Sequence, residues 1–208
     1  MNNILFNYDN KFFEILGKIT DIIILNLLLI IFCIPIITIG ASVSSAYSVG
    51  MKMIKNKEAY ITKEFLKQFK MNFKECIIIE CIFLGIGILI GVDFYISKLI
   101  YNQYMNMSLQ FIFNIMGIIF IFAVSYVFAI VAKFNNTIKN TIINSILMPI
   151  KDLPYTIIII VVNFSPLLLI YWGSNYWAQL IFFYIVIGFG INIYVNSIFF
   201  NKIFNKYI

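Results

Sequence analysis

Long stretches of apolar residues without charge dominate the sequence, and five of them are long enough to cross a lipid bilayer. A transmembrane helix needs about 20 mostly apolar residues. The predicted spans cover residues 22–49, 76–100, 108–132, 153–171 and 179–200. Short segments rich in lysine or in other polar residues separate them. The pattern therefore predicts an all-α, polytopic transmembrane helical bundle of about five spans, which forms a single membrane domain over residues 1–208.

The first predicted span contains a proline that divides it. No charge occurs from Ile22 to Val49, a length of about 42 Å as a helix. Pro35 lacks a backbone N–H and disfavours helical geometry at Ile34, so we expect one span with a kink. In the alternative, residues 35–40 turn the chain back as a re-entrant hairpin. The single span is favoured, because irregular backbone that faces lipid leaves polar groups without partners.

Residues 1–20 predict a helix at the membrane interface. Phe12, Leu16 and Ile19 fall on one face of a helical wheel, and charged side chains fall on the other. A signal peptide is the competing interpretation, since Ser44 and Ala46 loosely resemble a cleavage site. It is disfavoured, because the preceding region is long and partly acidic and the lysines that follow resist translocation.

Residues 51–75 predict a basic amphipathic helix. At about 100° per residue, four large apolar side chains occupy one arc and four lysines gather on the opposite side. The apolar set is Phe65, Leu66, Phe69 and Phe73, and the basic set is Lys63, Lys67, Lys70 and Lys74. We expect this helix to lie on the anionic cytoplasmic leaflet of the bilayer, which makes lipid its first predicted partner.

The distribution of lysine predicts which side of the cell membrane each loop faces. The loops after the first and third spans and the C-terminal tail carry most of the lysines, whereas the loops after the second and fourth spans carry almost none. By the positive-inside rule, we expect the lysine-rich loops and the C-terminus to be cytoplasmic. Five spans then place the N-terminus outside, although Lys11 and Lys18 favour the inside. The re-entrant alternative removes this conflict.

Composition narrows the function without identifying it. The chain is 62% hydrophobic and 12% charged, an apolar excess that a soluble domain of this size cannot bury. The formal charge is +6, but all the cations are lysines, and without arginine we expect no nucleic-acid partner. Histidine is absent, which removes the commonest general base and metal ligand. We therefore expect a protein that is not an enzyme and has no catalytic residue, cofactor or metal ion.

Polar and small residues inside the apolar spans are the candidates for function or for helix packing. They are Asn26, Pro35, Thr38, Gly40, Ser44, Ser45, Glu80, Asp93, Asn114 and Asn163. Small residues at four-residue spacing favour close helix packing, and asparagines favour hydrogen bonds between helices. Glu80 is the strongest candidate for a proton or cation site, although snorkelling or pairing with Lys74 is the favoured interpretation.

Several short segments together resemble one bacterial family. They are Phe6-Asn7 to Phe13, Asp21 to Leu28, Pro35 to Ser42 with Ala46-Tyr47, Phe65 to Lys74, and Asp152-Leu153-Pro154. This pattern is similar to the YesL-like integral membrane proteins, which are of unknown function and are often encoded near carbohydrate uptake and degradation genes in Gram-positive bacteria. The resemblance implies an accessory or regulatory role in sugar uptake, with a membrane partner such as a sugar transporter. No catalytic residue is carried over from it.

Two functional hypotheses follow from the sequence. The leading one is a non-enzymatic membrane protein that assembles with other membrane components through its small-residue first span and its basic helix. The alternative is a small transporter or channel with a polar intramembrane path around Glu80 and the serines of the first span. A membrane-embedded enzyme is disfavoured, because no base or metal site is evident.

Overall fold

The computed structural model describes residues 11–55, 60–97, 103–173 and 176–207, which form helices joined by short turns. The helices are α1 (Lys11–Cys33), α2 (Ile39–Ile54), α3 (Ile61–Ser97), α4 (Gln103–Lys133), α5 (Ile138–Lys151), α6 (Leu153–Trp172), α7 (Trp177–Phe183) and α8 (Phe189–Phe204). A 3₁₀ turn, Ile36–Thr38, precedes α2, and a π-helical turn, Tyr184–Gly188, joins α7 to α8. The described residues include no β-strand.

Within the described residues, five helical segments are long and apolar enough to cross a membrane. They are Phe13–Cys33, Ile61–Ser97, Met107–Lys133, Leu153–Trp172 and Trp177–Phe204. Their outer surfaces expose many Ile, Leu, Val and Phe side chains, and an apolar surface of this extent needs lipid as its solvent. The predicted fold class, an all-α membrane bundle with about five spans, is confirmed.

The predicted first span corresponds to two helices. Residues 22–49 do not form one kinked helix, because α1 ends and a separate α2 begins within this range. The predicted boundary between an interfacial helix and the span is also absent, since α1 runs unbroken through residue 21. Residues 1–10 of the predicted interfacial helix lie outside the described part of the chain.

The break between α1 and α2 has a local cause. Pro35 cannot donate a backbone hydrogen bond, and its ring disfavours helical geometry at Ile34. The Thr38 hydroxyl then lies within hydrogen-bonding distance of two carbonyl oxygens, 2.6 Å from that of Phe32 and 2.8 Å from that of Pro35. A hydroxyl donates one hydrogen bond at a time, and the Pro35 carbonyl also accepts from the Thr38 backbone N–H at 3.0 Å. The Thr38 hydroxyl is thus available to the Phe32 carbonyl, which the interrupted helix leaves unpaired.

The α2 helix lies in the core of the bundle, where it packs against α3, α4 and α8. Most of its residues from Gly40 to Met51 are buried. At about 24 Å it is shorter than the hydrocarbon core of a bilayer. Its glycine, alanine and serine residues allow other helices to approach closely on several sides. The surrounding protein explains why the irregular turn before α2 is tolerated.

The predicted basic helix and second span form one helix. The predicted segments 51–75 and 76–100 do not match the structure, where α3 continues without a break and residues 51–54 belong to α2. Phe65 is fully buried, and its ring centroid lies 5.5 Å from that of Phe32 in α1. Phe69 lies 4.8 Å from the same ring. The apolar face that was expected to insert into lipid therefore packs against the protein.

The predicted loop between the third and fourth spans contains α5. Thr137 caps this helix, accepting a hydrogen bond from the Asn140 backbone N–H at 3.4 Å. Ile138, Ile142 and Ile146 pack against the cluster of buried residues between α3 and α4. This spacing of apolar residues is helical, and the short amphipathic segment covers the end of the bundle.

Candidate functional site

Glu80 holds the first turn of α2. Its side chain is buried on α3, and one carboxyl oxygen accepts a hydrogen bond of 3.1 Å from the backbone N–H of Gly40. The first N–H groups of a helix have no partner within the helix, and the helix dipole favours a negative or electron-rich group there. Lys74 is exposed, and Glu80 forms no ion pair with any described residue. The favoured pairing with Lys74 is therefore absent, and Glu80 acts as an anchor between two helices.

The small residues of α2 are packed against their neighbours. A side chain added at Gly40 would overlap the ring of Phe128 in α4. Ser44 and Ser45 are fully buried, and the Ser45 hydroxyl donates to the Ala41 carbonyl of its own helix at 2.6 Å. Neighbouring helices cover both serines, whereas Thr38 in the preceding turn is partly exposed. This geometry fits close packing better than an open polar path.

Asn26 connects α1 to the π-helical turn between α7 and α8. Its amide nitrogen donates to the Ile185 carbonyl at 2.7 Å, and its amide oxygen accepts from the Gly190 backbone N–H at 2.8 Å. A π-helical turn shifts the backbone pairing of a helix and leaves groups for outside partners. Gly190 permits the approach, because a Cβ atom there would lie 2.6 Å from the Ile22 carbonyl oxygen. Asn26 is thus a specific link between two spans.

A polar seam joins α6 to α8. The Asn196 amide nitrogen donates to the Asn163 amide oxygen at 2.7 Å, and Asn192 donates to the Ser165 hydroxyl at 3.2 Å. Further along α8, Asn201 donates to the Met51 carbonyl of α2 at 3.2 Å. The four-residue spacing of Asn192 and Asn196 on one helix face is the signal in the sequence for this seam. The contribution of Ser165 and Asn201 was not predicted.

The other candidate positions lie apart from these contacts. Asp93 and Asn114 are exposed on the outer faces of α3 and α4, and Pro35 is exposed at the α1–α2 break. The four lysines of α3 are also exposed; they are Lys63, Lys67, Lys70 and Lys74. The structure therefore places the sequence candidates in three separate groups: the Glu80–α2 contact, the asparagine links between spans, and the outer surface.

A polar cluster that the sequence analysis missed ties the C-terminus to the bundle. The Asp152 side chain, buried at the α5–α6 junction, forms a close ion pair with Lys206 and accepts a hydrogen bond of 3.1 Å from the Tyr207 hydroxyl. The hydrogen bond with the Asp152 carboxylate raises the pKa of Lys206 above its usual value. The signal available in the sequence was the acidic residue at the start of an apolar span.

The described residues offer no evident metal site. They contain no group of three or more Asp, Glu, Cys or His side chains that is arranged to hold an ion. Cys33, Cys76 and Cys81 are free thiols in the structure, and Cys76 is fully buried.

The bundle and its polar contacts define a multi-pass helical membrane protein in which several buried polar side chains join helices. Residues 22–94 match the model of a protein family of unknown function, DUF624. This range contains α2, its Glu80 anchor, and nearly all of α3. No curated protein and no solved structure matches the chain.

Proposed function

We propose that this protein is a non-enzymatic accessory component of the cell membrane that assembles with a carbohydrate transporter and regulates sugar uptake. The resemblance of the sequence to YesL-like membrane proteins supports the link to sugar uptake, and the DUF624 match over residues 22–94 is compatible with it. The observation that carries the proposal is the lysine face of α3, formed by Lys63, Lys67, Lys70 and Lys74.

The lysine face lacks close charge partners within the described chain, although Lys67 has a weaker electrostatic interaction with Glu64, three residues earlier on the same helix. All four side chains are exposed, and none forms an ion pair with another described residue. Lys52 provides the contrast, since this α2 lysine forms an ion pair with Glu64 of α3. The opposite face of α3 packs on Phe32, so the lysines point away from the bundle. Such a row of cations attracts anionic headgroups of the cytoplasmic leaflet and acidic residues on a membrane partner.

The interior of the bundle supports an accessory role over transport. Glu80 accepts a hydrogen bond from the Gly40 backbone N–H, and the Ser42 and Ser45 hydroxyls donate to carbonyl groups of the local backbone. A transport path needs polar groups that remain available to a moving ion or solute. In this protein, Glu80, Ser42 and Ser45 are committed to these hydrogen bonds. The Ser44 hydroxyl, which has no hydrogen-bond partner among the described residues, is fully buried by neighbouring helices. This geometry favours assembly as the main function.

Purification from native membranes in a mild detergent tests the proposal. We expect a carbohydrate-transporter subunit to copurify with the wild-type chain and to be lost when all four residues of the lysine face are changed to glutamine. The matched control changes four exposed lysines elsewhere to glutamine; they are Lys55, Lys139, Lys151 and Lys202. The control removes the same charge and should retain the partner. Recovery of a lone monomer from the wild type would contradict the proposal.

A further inference from the structure

A cavity of about 440 Å³ opens between α2, α4 and α6. Its size lies within the range of pockets that bind small ligands, roughly 300–1,000 Å³. The walls are mainly apolar, with a few polar side chains on one side. The residues that bear on its chemistry are Val43, Tyr47, Val124, Ser125, Asn163 and Phe164. This cavity is separate from the lysine face, but it adjoins the Glu80 contact, because the Phe128 ring in its lining also packs against Gly40.

The rim of the cavity is apolar and faces the surroundings of the bundle. Ile121 and Phe164 are each 37% exposed, and Val124 is 38% exposed. Ile121 and Val124 belong to the segment Met107–Lys133, and Phe164 belongs to Leu153–Trp172, both long and apolar enough to span a membrane. The cavity therefore opens toward the hydrocarbon of the bilayer, and a ligand reaches it from the lipid phase.

The inner wall carries neutral hydrogen-bonding groups with unused capacity. The Asn196 amide nitrogen donates to the Asn163 oxygen at 2.7 Å and lies 3.5 Å from the Tyr47 hydroxyl. Among the described residues, no acceptor pairs with the Asn163 amide nitrogen, and Ser125 has no side-chain hydrogen bond. Behind this wall, the buried amide oxygen of Asn196 also lacks a partner. Polar groups without partners are unfavourable in an environment without water.

We propose that this cavity is a binding site for a neutral lipid, a hydrocarbon chain that carries a hydroxyl or carbonyl group. The apolar walls accommodate the chain, and the Asn163 amide and the Ser125 hydroxyl bind the oxygen. Among the described residues, no charged side chain lines the cavity, so a phosphate or carboxylate headgroup finds no counter-ion in this lining. The same chemistry belongs to acylglycerols and to isoprenoid alcohols or quinones. The inference stands independently of the proposed partner.

Photo-crosslinking of the purified full-length chain tests this site. The probe is a long-chain fatty alcohol with a diazirine near the hydroxyl end, and a diazirine fatty acid of equal length, kept ionised, is the matched charged probe. We expect the alcohol to label cavity residues of α2, α4 and α6, as mapped by mass spectrometry. Competition by diacylglycerol, or by a polyprenol or quinone, identifies the natural source. Equal labelling of the whole outer surface by both probes would overturn the proposal.

Two substitutions locate the binding to the cavity. Val124→Trp places a large ring at the rim and should abolish cavity labelling, whereas Ile118→Trp, at a 53% exposed position of the same helix, should leave it unchanged. Asn163→Leu should weaken binding about fivefold by removing a hydrogen-bond donor. Asn114→Leu, at an exposed asparagine, is its control. Wild-type labelling in a correctly folded Val124→Trp variant would refute the site, even if Asn163→Leu fails to fold.

Discussion

Glu80 illustrates how one side chain determines the position of a buried helix. Its carboxyl oxygen accepts the Gly40 N–H at 3.1 Å, at the end of α2 where the backbone has free donors. Glu80→Ala should lower the free energy of unfolding by about 1–2 kcal/mol, because the donor is left unpaired in the core. Glu80→Gln keeps an acceptor oxygen and should lose less. Thermal unfolding in detergent micelles measures both changes.

Asp93→Ala is the control for the Glu80 variants. The Asp93 carboxyl group is exposed on the same helix, so its loss should leave the unfolding temperature unchanged. Two results would contradict the anchoring role. One is an Ala variant as stable as the wild type. The other is a flux of ions or sugars into reconstituted liposomes that the Glu80→Gln substitution abolishes. Glutamine keeps the hydrogen bond to α2, so a purely structural role for Glu80 predicts no such loss.

Individual residues also show where sequence analysis reaches its limit. Sequence position alone indicated that Glu80 and Asn26 are polar groups within apolar segments, and both are buried. It gave no partner for either, since Gly40 and the π-helical turn come close only in the folded bundle. It also ranked Asn114 with Asn26, although Asn114 is exposed. Whether such an asparagine is buried depends on which face of its helix packs against protein. The sequence does not show this, because helix faces that contact protein and faces that contact lipid are both apolar.

At the scale of elements, α1 and α8 approach each other at a glycine. A Cβ atom on Gly190 would lie 2.6 Å from the Ile22 carbonyl oxygen and 3.0 Å from the Asn26 Cβ atom. Gly190→Ala should therefore destabilise the protein by about 1–3 kcal/mol through overpacking. The clash must also outweigh the intrinsic preference of alanine for helices, which is about 1 kcal/mol. Thermal unfolding in micelles again provides the measurement.

Gly117→Ala in α4 separates the clash from the helix preference, because nothing lies within 4 Å of a Cβ atom at that position. This control should be as stable as the wild type or slightly more stable. Equal stability of the Gly190 and Gly117 variants would show that α1 and α8 do not approach as closely as described. Loss of stability in both would point to a general intolerance of alanine instead.

The sequence predicts a helix where the spacing of apolar residues is regular. It does not predict what packs against the apolar face of that helix. The spacing of Phe65, Phe69 and Phe73 predicted a helix with an apolar face, and the structure has that helix. The same spacing cannot distinguish lipid from protein as the cover, and Phe32 provides the protein cover. At Pro35, the sequence predicted a disturbance but not its extent. A kink and a complete break begin with the same missing hydrogen bond.

At the scale of the whole molecule, the number of crossing helices and the lysine distribution together predict its orientation. Lys202 and Lys206 follow the last apolar segment, and the loop before α7 has no lysine. We expect the C-terminus to be cytoplasmic. A green fluorescent protein fused after the last residue should fluoresce, and alkaline phosphatase fused after Gly173 should be active. The reverse pattern would overturn the orientation.

The side of the membrane on which the N-terminus lies tests whether the first apolar segment crosses or re-enters. The other four apolar segments cross the membrane in both topologies. If α1 crosses the bilayer, five crossings place the N-terminus opposite the C-terminus, despite Lys18 near its start. The buried α2 is too short to cross by itself, which leaves α1 as the first span and favours this outcome. A tag before residue 1 should then be digested by protease added to intact cells whose wall has been removed. A tag cleaved only after lysis would instead support the re-entrant arrangement, in which the first segment returns to the cytoplasmic side.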